Sequence, residues 1–149
     1  MESACQILNE YLQRPEKSDP NKLKAAMSRI QTEWFGATSG PETDHLHVQD
    51  LLEELDHISN HLLHRVVNMA DTNGNTALHY AVSHFNFPVV TRLLDSRATD
   101  VNKQNRAGYT PVMLAALATL GANDSQQRAT VHRLFQMGDV NAKRTVAVI

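Results

Sequence analysis

Part of this chain repeats, and the repeat limits what it can fold into. Residues 71–83, DTNGNTALHYAVS, return as residues 105–117, NRAGYTPVMLAAL, with Gly74 aligned to Gly108, Thr76 to Thr110 and Ala81 to Ala115. Each shared residue has a physical task. Asp71 or Asn105 with glycine three positions on builds a tight turn, where glycine takes a positive φ at no steric cost. The threonine offers a side-chain oxygen to the first amides of a helix. Small Ala81, Ala115 and Ala116 let the helices of successive units approach closely. His79 reads as structural, because its two ring nitrogens can bridge the turns of adjacent units. Val89, Val90, Leu93 and Leu94 have the spacing of a second helix, and Val101–Asn102 and Val140–Asn141 close the two units. Units this short cannot bury an apolar face alone, so the pattern dictates a stack.

The units are unequal. The first carries one extra residue near Ala98–Thr99, and the second about five between its helices, around Gly121–Gln127, as the 39 residues from Asn102 to Asn141 show. Ahead of them the chain reads as helices. Ala4, Ile7, Leu8, Tyr11 and Leu12 form one apolar stripe, closed by Pro15. Asp19–Pro20 supplies a cap acceptor and a proline at the first helical position, and Leu23, Ala26, Met27, Ile30 and Trp34 follow as the next stripe. Gly36 is expected to end that helix in the left-handed conformation, and residues 36–43 to form a loop. Val48, Leu51, Leu52 and Leu55 mark a third helix, and Ser59 caps a fourth carrying Leu62, Leu63, Val66, Val67 and Ala70. The class is all-α. The expected division is 1–70 for an amino-terminal helical region packing on the first repeat, 71–104 and 105–143 for the repeats, and 144–149 for a tail.

Composition narrows the function classes. A net charge of −2 in 149 residues, with no Lys/Arg run, argues against a nucleic-acid binder. The single cysteine, Cys5, cannot form an internal disulfide. No apolar stretch reaches the ~20 residues a membrane helix needs, and the expected location is cytoplasmic. No phosphate-binding glycine loop, G-x-S-x-G or H-E-x-x-H is present, so neither an enzyme nor a cofactor is expected. His45, His47, His57, His61 and His64 suggest a metal-binding helical domain as an alternative, since His61 and His64 lie three apart. They fall with Asn60, Arg65 and Asn68 on the polar side of their helix, so a solvated face is the reading preferred to a metal site.

A period near 33 with a G-x-T-[AP]-L-H-x-A core resembles the ankyrin repeat. The implied fold is an ankyrin solenoid with amino-terminal capping helices. The stretches ADTNGNTALHYAVSHFNFPVVTRLLD, VNKQNRAGYTPVMLAALATL and LFQMGDVNAK resemble, more narrowly, the ankyrin domain of the KANK proteins (KN motif and ankyrin repeat domain proteins). ACQILNEYL and QTEWF resemble the helices that those proteins place before their repeats, so the likeness runs from Ala4 to Lys143. It implies an adaptor at the cell cortex whose ankyrin domain engages a helical segment of a kinesin motor and which restrains actin polymerisation. The talin-binding KN motif has no counterpart here, so talin is not an expected partner. Members of that family continue through further repeats, whereas this sequence runs from Val140–Asn141 into RTVAVI, which reads as a truncated form or a fragment without partner affinity.

Ankyrin domains bind through turn tips and the concave face of their inner helices. In this chain those positions are Thr72, Asn73, Asn75, Ser83 and His84, then Arg106, Ala107, Tyr109, Leu117 and Ala118. Tyr109 is the expected anchor, with Arg106 beside it for an acidic partner residue. Met113 stands where the pattern has histidine and with Leu117 would offer an apolar strip, unless it fills the inter-repeat core. Asn73 and Asn75 are open to a purely structural reading as turn residues. Phe85 and Phe87 are expected in the core.

Overall fold

Side-chain oxygens start most of the helices. Asp19, Asp44, Ser59, Thr76 and Asn86 each accept a backbone amide from the first turn of the helix that follows, satisfying donors that have no partner inside it. The computed structural model describes residues 1–119 and 125–138. Its helices are α1 (Glu2–Gln13), α2 (Pro20–Thr38), α3 (His45–Ile58), α4 (Asn60–Val67), α5 (Ala77–Ser83), α6 (Phe87–Asp95), α7 (Pro111–Thr119) and α8 (Ser125–Met137), with a 3₁₀ turn at Pro15–Lys17. Among the described residues there is no strand, so the fold is all-α. The closing Val140–Asn141, the tail and most of the insertion near Gly121 lie outside the described residues.

The helices stack in two layers. In the inner layer α2 packs on α5 and α5 on α7; in the outer layer α3 packs on α6 and α6 on α8. Thus α2 and α3 occupy the places of a helix pair one unit earlier, although only the later pairs repeat in sequence. Helix α1 lies against α2 and α4, and α4 against α3, at that same end of the stack. The core runs through the whole array: Leu8, Ile30, Trp34, Leu55, Leu62, Leu78, Leu93, Leu94 and Leu134 are all fully buried. Each contributes roughly 1.5–3 kcal/mol of apolar burial. Asn68, just past α4, ties this end to the loop one unit later. Its side-chain amide donates to Ala98 O and its carbonyl oxygen accepts from Asp100 N, at 2.9 and 2.7 Å.

Two expectations fail. Gly36 does not end α2, which continues to Thr38. Gly36 is not among the residues with positive φ; the stop comes instead at Thr38 and Ser39, whose hydroxyls both donate to carbonyls four residues back. Phe85 is not in the core. Phe87 is buried, but Phe85 is 58% exposed with φ +56°. Phe85 N donates to Val82 O and Asn86 N to Ala81 O, the Schellman closure of α5, in which the left-handed residue is usually glycine. That backbone turns the ring outward.

Gly74 and Gly108 occupy equivalent left-handed positions, at φ +78° and +88°. A Cβ at Gly74 would lie 2.9 Å from Arg106 N in the next turn, whereas one at Gly108 meets no described atom within 4 Å. Gly108→Ala is therefore expected to cost about 1–2 kcal/mol of left-handed strain. Gly74→Ala adds a backbone clash and is expected to cost at least about 1 kcal/mol more. Urea unfolding of the two variants checks the difference.

Candidate protein-binding face

The two turn tips are built by the same bonds. Asp71 N donates to Asn75 O, Gly74 N to Asp71 O, and the Asp71 carboxylate accepts from Asn73 N and Asn75 N. In the second unit Asn105 N donates to Tyr109 O, Gly108 N to Asn105 O, and the Asn105 side chain accepts from Tyr109 N. The tips are then stitched together. Arg106 N donates to Asn73 O at 3.0 Å, and Asn105 Nδ2 to Asn75 Oδ1 at 2.9 Å. Asn75 therefore has a structural task, while the side chains of Thr72, Asn73, Arg106 and Ala107 are exposed.

His79 joins the turns to the helices. Its Nδ1 accepts from Thr76 N at 3.1 Å, so the proton sits on Nε2, which donates to Tyr109 O in the next unit at 2.9 Å. The ring is 1% exposed. Burial lowers its pKa below the ordinary 6.5, against the opposing pull of the Tyr109 carbonyl and the Asp71 charge.

Beside His79, the next residue along faces outward. Tyr80 donates a short hydrogen bond from its hydroxyl to Asp71 Oδ2, which raises the phenol pKa because ionisation would set two negative oxygens together. Its ring meets Phe35 of α2 edge-on and stacks on His84, with centroids 6.2 Å apart in both cases. A hollow of about 390 Å³ between α2 and α5 is lined by Ser28, Thr32, Phe35, Ser39, Asp71 and Tyr80. Ser83 and His84 are exposed on the same helix end, and His84 Nε2 lies 3.0 Å from Ser39 O. One unit later Leu114 stands in the place of Tyr80 and Leu117 in that of Ser83; Leu114 is half-buried, Leu117 is 49% exposed and Tyr109 39%. Met113 corresponds to His79 and is buried, only 4% exposed. With Met113 buried, the apolar side chains that α7 leaves open on one face are half-buried Leu114 and exposed Leu117. Tyr80, Phe35 and Leu114 thus border this face beyond the residues that the repeat pattern picks out. The signal was present: Tyr80 precedes Ser83 and His84 by three and four positions, the spacing of one helical face.

The same architecture decides the family. The ankyrin repeat family, in three copies, matches residues 45–144, two thirds of the chain. The chain is an ankyrin-repeat protein. The match begins at the start of α3, inside the region expected to lie before the repeats, and α3 is indeed the helix that stacks on the outer helix of the first unit. Among curated proteins, the BTB/POZ domain and ankyrin repeat-containing protein NPR1 of rice, in both the indica and japonica subspecies, is 38% identical over 72 residues, 47% of this chain. The chain spans 12% of the length of those relatives. Ankyrin repeats are protein–protein interaction modules, typically without catalytic activity, and that class of function holds for this chain.

The remaining candidates do not assemble into another site. His61 and His64 are both exposed on α4, and His64 Nδ1 lies 2.9 Å from Asn60 O. Among the described residues no three His, Cys, Asp or Glu side chains come together to hold a metal ion. The Cys5 thiol is buried; burial pushes its pKa above the ordinary 9.0 and Glu33 and Glu54 push the same way, against the amino terminus. A thiol held protonated is a poor nucleophile. No helix among the described residues is long and apolar enough to cross a membrane.

The lowered His79 pKa sets a pH dependence. Its stabilising contribution is complete above about 6.5 and is lost as pH falls towards the folded value, because the unfolded chain then binds the extra proton. The melting temperature is expected to fall between pH 7 and 5. His79→Gln is expected to lower it by an amount corresponding to about 1–3 kcal/mol and to flatten that pH profile. Calorimetric melts of both proteins across this range provide the check.

Proposed function

We propose that this chain binds a helical segment of a partner protein along the face formed by the turn tips, α5 and α7. The observation that carries the reading is the exposure of Tyr109 and Leu117 beside half-buried Leu114, with Tyr80 and His84 continuing the same face. Tyr109 is of a residue type enriched at interface centres, and Leu117 adds exposed apolar surface on α7. The spacing suits a leucine-bearing amphipathic helix laid in a groove. Arg106 at the second tip is placed to pair with an acidic residue on it, and Thr72, Asn73 and Ser83 form the polar rim.

Resemblance to the KANK proteins supports a finer reading. The partner is then a helical segment of a kinesin motor, and the chain belongs to an adaptor at the cell cortex that restrains actin polymerisation. In this account residues 71–104 and 105–143 are the repeats. Residues 1–70 cap them, with α2 and α3 standing in for a preceding unit.

A titration of the full chain with a peptide of that kinesin segment tests the reading. Tyr109→Ala and Leu117→Ala are each expected to weaken binding by about tenfold or more, as removal of a central anchor does, with unchanged melting behaviour. Thr72→Ala is expected to change the affinity less than about threefold, as rim positions do. Undetectable binding to the unaltered chain overturns the kinesin reading. Binding that both large-side-chain variants leave intact overturns the assignment of the face.

A further inference from the structure

A second surface lies on the outer layer, apart from the turn tips and from α5 and α7. A hollow of about 400 Å³ is lined by His45, Phe85, Phe87, Pro88, Thr91 and Arg92, and reaches α8. Its rim holds the most exposed large apolar side chain among the described residues, Phe85 at 58%. That residue also stands in the left-handed position, φ +56°, where glycine would be unstrained. Phe85 is thus doubly unfavourable for the free chain, strained in its backbone and wet in its ring. Its ring leans on Phe87, with centroids 6.4 Å apart, and so forms a wall of the hollow.

The base of the hollow carries a cation, Arg92. Arg92 Nε donates to His45 Nδ1 at 3.2 Å, a neutral imidazole acceptor. Its guanidinium makes no ion pair among the described residues: Asp95, one turn on, pairs with Arg133 at 2.7 Å instead, and although Arg92 also lines the neighbouring hollow with Glu53, Asp56 and Asp95, it pairs with none of them. No carboxylate lines the hollow itself. Guanidinium forks favour carboxylates in two-bond geometry, and apolar walls flank this one.

We propose that this hollow is a docking site for a peptide segment of another protein that carries a carboxylate close to a large apolar side chain. The apolar side chain lies between Phe85 and Pro88, and the carboxylate meets Arg92. This surface shares no residue with the face assigned above, so either assignment can fail without the other.

A library of random twelve-residue peptides displayed on phage, panned on the full chain with excess soluble Arg92→Gln protein as competitor, tests this. The surviving peptides are expected to carry Asp or Glu within four residues of Leu, Ile, Phe or Trp. Their affinity is expected to drop about tenfold on Phe85→Gly as well as on Arg92→Gln, the loss typical of an interface anchor. Phe85→Gly relieves the left-handed strain, so the variant stays folded, and its amide NMR spectrum should differ only around residues 82–92. No surviving peptides, survivors without a carboxylate, or binding indifferent to Phe85→Gly each overturn the proposal. Self-association of the unaltered chain that disappears in Phe85→Gly assigns the hollow to a second copy and overturns it as well.

Discussion

One buried imidazole holds this structure in register. His79 accepts the amide of Thr76 at the start of its own helix and donates to the carbonyl of Tyr109 in the following unit. It must be neutral to do both, and burial keeps it so. Around it the backbone bond from Arg106 to Asn73 and the side-chain bond from Asn105 to Asn75 lock one turn tip onto the next. Tyr109 is therefore positioned from behind: its carbonyl is held by His79 and Asn105 while its side chain stays partly exposed. The binding face inherits its shape from bonds that never touch a partner.

The same logic extends towards the amino terminus without the same sequence. Helices α2 and α3 carry none of the turn residues, yet they take the inner and outer places of a unit and bury Trp34, Ile30 and Val48 against the stack. Helix α4 intervenes before the first recognisable turn, and Asn68 binds its end to the loop of the next unit. An array of this kind is stabilised by neighbour interfaces, so a helix pair of suitable shape serves at an end where a perfect repeat is not needed. Contacts of the Phe35 ring with Tyr80 show that this pair also borders the candidate face.

Much of this was legible in the sequence, for identifiable reasons. The recurrence of Gly74, Thr76 and Ala81 at Gly108, Thr110 and Ala115 gave the stack, because each residue is constrained by one local geometry. The caps at Asp19 and Ser59 and the bridging role of His79 were readable on the same ground. Gly36 was not, since a glycine within a helix and one that ends a helix look alike until the hydroxyls of Thr38 and Ser39 are placed. The position of Phe85 with Phe87 at the entry to the outer helix points to the core, but the closure of α5 fixes its backbone and turns its side chain outward. For Met113 the sequence leaves a surface strip and a buried position both open. Its equivalence to His79 decides that it is buried, and that equivalence carries more information than methionine's own character.

The inter-repeat bonds around His79 hold the two turn tips as one unit. Amide hydrogen exchange at Arg106, measured in the unaltered chain and in His79→Leu, tests it most directly. Slow exchange is expected at Arg106 in the unaltered chain, because its amide is bonded to Asn73 O. In the variant, exchange there should be much faster while α1 to α4 keep their protection. Exchange at Arg106 as fast as in an exposed loop, or unaffected by loss of the imidazole, would contradict it.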